Sequence, residues 1–123
     1  MPIEVTPDTS RRWLIATATG DLGLKELQDF LRTERTGDLR DWPLLFDATA
    51  ASTQITSAQI QALAMQVGGS LRSEGPRAPV ALVASSDLLF ALMRMYQIRC
   101  ENEGVDSIRV FRSRDEADAW LSS

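Results

Sequence analysis

The 123-residue chain contains no histidine and a single cysteine, Cys100. The first absence removes Ser–His–Asp and Cys–His catalysis along with the commonest metal ligand. Together they leave too few ligands for a zinc site of the usual kind within one chain. One cysteine also excludes an intramolecular disulfide framework and fits a reducing compartment. Neither the P-loop pattern nor a G-x-G-x-x-G fingerprint occurs, so conventional nucleotide and dinucleotide enzymes are not indicated. No apolar run approaches the ~18 residues a membrane-spanning helix needs. The opening MPIEVTPDTS has neither a basic region nor an apolar stretch, so no secretory signal is expected and a cytoplasmic location is. Of 13 basic residues all but Lys25 are arginine, scattered in a chain of net charge −4. That balance argues against nucleic acid as a partner.

What is present is an ordinary globular composition, 44% hydrophobic and 24% charged, in a length suited to one domain over residues 1–123. Ile3 to Thr6 alternates apolar and polar residues, then Pro7-Asp8-Thr9-Ser10 forms a turn cluster. Arg12 to Thr19 reads as a second strand ended by Gly20-Asp21, the pair making an opening hairpin. Trp13, Ile15 and Thr17 would face one side and Leu14, Ala16 and Ala18 the other. A helical stripe follows at Leu24, Leu27, Phe30 and Leu31, continuing to about Glu34, with Gly23 as N-cap and Leu22 stapled on Leu27. Gly37-Asp38 and Trp42-Pro43 bound a loop before LLFDATA, an apolar run expected to be a buried parallel strand ending in Asp47.

Thr56 and Gln59 satisfy the capping-box pattern ahead of a stripe at Ile60, Leu63, Ala64, Val67 and Leu71. Gly68-Gly69 interrupts that stripe, but Leu71 keeps its phase, so the helix is expected to continue. A distortion there is weighed against close approach by another backbone. Gly75-Pro76 and Pro79 lead into VALVA, another buried strand. The helix that follows places Leu88, Leu89, Leu92, Met93, Tyr96 and Cys100 on one arc, for the core. Ala91, Met95 and Ile98 form a second stripe, with Phe90 outside both and Arg94 between. Ser107 to Arg112 suggests an edge strand, and Ser113-Arg114-Asp115-Glu116 caps a last helix carrying Ala117, Trp120 and Leu121. The order β-β-α-β-α-β-α-β-α implies an α/β domain, a mainly parallel sheet with an antiparallel N-terminal edge strand.

The strand ending in Asp47, VALVASSDLLFALMRMYQ from Val80 to Gln97, and VFRSRDEADAWL from Val110 to Leu121 resemble the SpoIIAA-like superfamily. That fold is shared by STAS domains, the anti-sigma-factor antagonists, and by CRAL-TRIO lipid carriers. The resemblance is closest to small bacterial SpoIIAA-like proteins of uncharacterised function, and it spans essentially the whole chain. It implies a single-domain SpoIIAA-like (STAS-like) fold more than any activity. STAS antagonists resemble one another in an Asp-Ser-Ser-Gly-like segment that carries a phosphorylated serine. Here that region reads Ala51-Ser52-Thr53-Gln54-Ile55-Thr56-Ser57: hydroxyls at Ser52, Thr53, Thr56 and Ser57 mark a candidate phospho-switch, without the motif.

In an open parallel sheet, ligands sit beyond the carboxyl ends of the strands. The candidate rim is Asp21, Asp47, Ser85, Ser86 and Asp87, suited to an anion or to helix capping alone. The candidate interface is Phe90, Arg94, Met95 and Ile98. The leading expectation is a non-enzymatic regulatory or interaction module, homodimeric and without cofactor, metal or catalytic residues. The alternative is a small carrier or sensor of a lipid or other apolar ligand, as the CRAL-TRIO resemblance implies. Third comes a hydrolase-type enzyme acting on an anionic substrate through Asp47 and the Ser85-Ser86 hydroxyls.

Overall fold

A computed structural model describes residues 3–33, 41–75 and 78–123. Gly37-Asp38, Glu34 and Pro76, expected in a loop, a helix end and a turn, lie outside them. The elements run β1 (Ile3–Asp8), β2 (Trp13–Leu22), α1 (Leu24–Thr33), β3 (Leu44–Thr53), α2 (Ser57–Glu74), β4 (Val80–Val83), α3 (Asp87–Asn102), β5 (Ile108–Phe111) and α4 (Arg114–Ser122). The order is the expected one. Five strands form one sheet in sequence order, with β1 antiparallel to β2 and every other neighbour parallel.

The alternation of side chains along each strand sorts the core into two unequal parts. Leu14, Ala16 and Ala18 on β2, Leu44 and Phe46 on β3, and Leu82 on β4 belong to the larger cluster, which includes residues of α1, α2 and α3. Their neighbours Leu45, Ala81 and Val83 point to the other side and pack with Ala117 of α4, flanked by Phe111, Trp120 and Leu121. The helix α4 reaches β3, β4 and β5. On β2, whose Trp13 and Ile15 share that side, Thr17 and Thr19 remain exposed. No helix among the described residues is long and apolar enough to cross a membrane.

Local signals account for the helix starts. Thr56 accepts from the Gln59 backbone at 3.2 Å while Gln59 accepts from the Thr56 backbone at 2.9 Å, a complete capping box. Ser86 accepts from Leu89 N–H and Ser113 from Glu116 N–H in the same way. The α2 helix continues through Gly68-Gly69, as the phase of Leu71 predicts. At Gly68 the close neighbour is the Glu103 side chain at the end of α3, rather than a backbone.

Three strand ends differ from expectation. β1 continues through Pro7 and Asp8, which stand opposite Leu14 and Trp13. β2 passes through Gly20, held at φ +71°, to Leu22. β3 does not end at Asp47 but continues to Thr53, with an irregularity between the Thr17–Asp47 and Thr19–Ala50 pairings that puts one extra residue into β3. Thr49 to Thr53 carries no large apolar residue, and its strand conformation is held by pairing with β2.

Candidate functional site

β4 stops at Val83, level with Asp47 and Phe111, whereas β2 and β3 continue beyond it as a two-stranded ribbon. The five residue steps from Asp47 to Ser52 cover roughly 15 Å at strand rise. The rim is therefore a step. Asp47, Ser85, Ser86 and Asp87 lie on the lower tread, and Asp21 stands opposite Ser52 on the upper one.

On the lower tread the polar groups are mutually occupied. Asp47 Oδ1 accepts from the Thr49 backbone at 3.0 Å and from the Thr49 hydroxyl at 2.8 Å. Its other oxygen lies 3.5 Å from the Arg114 guanidinium at the start of α4. Asp47 is 13% exposed, on the α4 side of the sheet, so an apolar strand tolerates it because a cation and a local turn share its charge. Ser85 Oγ donates to the Thr49 carbonyl at 3.3 Å, linking the β4–α3 turn to β3. Ser86 caps α3. Asp87 pairs with Arg112 at 2.6 Å, and the same guanidinium lies 4.1 Å above the Phe90 ring. Asp47 and Ser85 are thus brought together through Thr49.

The hydroxyl segment divides by burial. Thr53 is buried, and its Oγ1 donates to the Leu22 carbonyl at 2.7 Å and accepts from Ile55 N–H. Thr56 is committed to its cap. Ser52 and Ser57 are exposed, the first at the end of β3 and the second in the first turn of α2.

On α3 the inward residues are Leu89, Met93, Gln97 and Cys100. Leu88, expected in the core, is instead 65% exposed, because it lies on the outward face of the helix with Ala91, Met95 and Ile98. Leu92 and Tyr96 are half-buried. Gln97 is the residue the sequence reading missed. It lies four residues after Met93 and three before Cys100, a spacing that signals the inward face despite its polarity. Its amide accepts from Arg94 at 3.0 Å and donates to Glu101 at 3.3 Å, which offsets its burial. Of the candidate interface residues, Phe90 is partly buried against the core beneath Arg112, and Met95 is half-buried. Arg94 is exposed, and Ile98 is 49% exposed.

Between the sheet and α1, α2 and α3 lies an apolar cavity of about 100 Å³, reached by Phe46, Thr53, Ile55, Val67, Leu89 and Leu92 among others. A drug-sized ligand site typically occupies ~300 Å³ or more. No group of acidic or cysteine side chains arranged to hold a metal occurs among the described residues.

No protein-family model and no curated protein matches the chain. Among solved structures, the chain is similar to an uncharacterised protein of the DUF3478 family with a SpoIIAA-like fold, from Shewanella loihica PV-4. The identity is 18% over 97% of this chain and 91% of the other, with a TM-score of 0.55. At that identity the likeness establishes the fold, which is SpoIIAA-like.

Proposed function

We propose that the protein is a non-enzymatic interaction module of the STAS-like type that pairs with a second copy of itself through the outer face of α3. The observation that carries this reading is the stripe Leu88, Ala91, Met95 and Ile98. These four recur at the three- and four-residue spacing of one helix face, and Leu88 and Ile98 are 65% and 49% exposed. Burying such a stripe is favourable at ~25 cal/mol per Å² of apolar surface. In an antiparallel two-fold arrangement centred on Ala91, Leu88 of one copy meets Met95 of the other. The same register sets Asp87 against Arg94, a charge-complementary rim around a contact that a small central residue keeps close.

The non-enzymatic character is supported by the hydroxyl and carboxylate chemistry of the rim. Ser85 and Ser86 are held by a carbonyl and a helix cap, and Asp47 is engaged by Arg114 and Thr49. None of these contacts activates a nucleophile. The alternative carrier role draws on the apolar cavity, whose 100 Å³ is small for a lipid chain. A regulatory role in the cytoplasm fits the buried single thiol of Cys100.

Size-exclusion chromatography with light scattering tests the pairing. A dimer at tens of micromolar, converted to monomer by Met95→Glu, is expected. A monomer unchanged by that substitution would sink the reading.

A further inference from the structure

The apolar cavity between the sheet and helices α1, α2 and α3 measures about 100 Å³, and among the described residues no charged one lines it. Two of its lining residues have polar groups committed elsewhere. Thr53 bonds through its hydroxyl to the Leu22 carbonyl and the Ile55 N–H. Ser107 gives its backbone carbonyl to Val80 N–H. A water settles in a cavity only where two to four polar partners meet it, so a site lined in this way stays dry. Dry space costs stability in proportion to its volume, because the atoms around it forgo packing contacts. A guest that restores those contacts without asking for hydrogen bonds is what such a space favours.

The lining selects among apolar guests. Of the four phenylalanines and the single tyrosine in the chain, Phe30, Phe46 and Tyr96 all reach the cavity. Phe30 and Phe46 meet edge to face, their centroids 5.3 Å apart and their planes at 63°. Ring edges and ring faces attract the opposite parts of another ring, so an aromatic guest gains contacts that an aliphatic one lacks. Met93 in the same lining adds a polarizable thioether that favours ring contact and adapts to shape. Volume sets the upper limit. An engineered cavity of ~150 Å³ lined by Leu, Ile and Phe holds benzene or xenon, whereas drug-sized ligands need ~300 Å³ or more. Leu27, Ile55 and Leu92 line the cavity while only half-buried, so a small guest reaches it without global unfolding.

We propose that this cavity binds a small, uncharged aromatic molecule of a single ring. The inference rests on the carrier or sensor alternative and narrows its ligand from a lipid chain to a ring; it does not depend on pairing through α3. Recognition comes from shape and ring contacts, and with so few guest atoms the Kd is about 1 mM.

The probe is benzene, titrated into full-length protein with isotope-labelled methyl groups and followed by NMR. Saturable shifts and NOEs from benzene should be confined to methyls that line the cavity, those of Val67, Leu82, Leu89 and Met93 among them. The exposed methyls of Met65 and Ile98 should not move. Cyclohexane, similar in size but without a π face, should bind about threefold more weakly. Leu63→Phe, which fills the cavity, should abolish the benzene NOEs, and Val67→Phe replaces it if that variant does not fold. Dodecanoate supplies the lipid arm. NOEs from dodecanoate to the same methyls, with none from benzene, overturn the proposal and leave the carrier reading standing, whereas none from either probe overturns both. Cyclohexane binding as tightly as benzene, undiminished benzene binding in a folded filling variant, or shifts spread over Met65 and Ile98 also overturns the proposal.

Discussion

A Cβ placed on Gly68 of α2 would lie 2.7 Å from the Cβ of Glu103, the residue that ends α3. The two helices approach there at a distance that only glycine permits, and Arg72 reaches the same glutamate at 3.4 Å. Gly69, its neighbour, has nothing within 4 Å of a built Cβ. A tandem pair of glycines in one helix therefore has two unlike functions.

Alanine scanning of the pair separates them. Gly69→Ala should stabilise the protein by about 0.5–1 kcal/mol, the difference in helix propensity. Gly68→Ala gains the same propensity but drives a methyl into the Glu103 stem, an overpacking cost of about 1–3 kcal/mol, so the net effect is destabilising. Urea denaturation of the two variants, with unchanged m-values, checks the opposite signs.

The Asp47–Arg114 contact joins β3 to α4 across the smaller core. Because Arg114 is 40% exposed, Arg114→Ala should cost only about 0.5–1 kcal/mol. Asp47→Ala should cost more, about 1–3 kcal/mol, since it also strips the Thr49 N–H and hydroxyl of their acceptor. Asp47→Asn keeps that acceptor and should resemble Arg114→Ala. A double-mutant cycle with Arg114→Ala measures the pair alone.

Asp8 closes the turn between β1 and β2. Hydrogen bonds from Ser10 first, and then from Arg11, lower its carboxyl pKa from 3.8 to about 2. A carboxylate with a depressed pKa contributes stability that is fully present above pH 3.8 and is lost as pH falls through about 2. Carboxyl-detected NMR titration should find a midpoint near 2 for Asp8, and Ser10→Ala should move it back toward 3.8.

The alternation of strands and helices was legible because it depends on short-range periodicity. The alternating faces of β2, the continuous apolar runs of β3 and β4, and the capping residues Thr56, Ser86 and Ser113 act within a few neighbours. The strand ends were less so. Asp47 reads as a terminator within an apolar run, but its charge is accommodated by Arg114, sixty-seven residues away in the chain. Leu88 reads as a core residue by its apolarity, and Gln97, an amide, falls outside both apolar arcs. Their true positions reflect which arc of α3 the sheet and α2 cover.

The sequence by itself determined the order of the elements, the hairpin start, the caps and the two-sided apolarity of α3, since each is a local preference repeated at the period of a helix or strand. Only the tertiary structure decided that β3 outruns β4, that the rim is stepped, and that Leu88 faces outward. The physical reason is that these depend on the register between strands distant in the chain. One extra residue in β3 shifts its register against β2 beyond Asp47, and β4 ends level with that point.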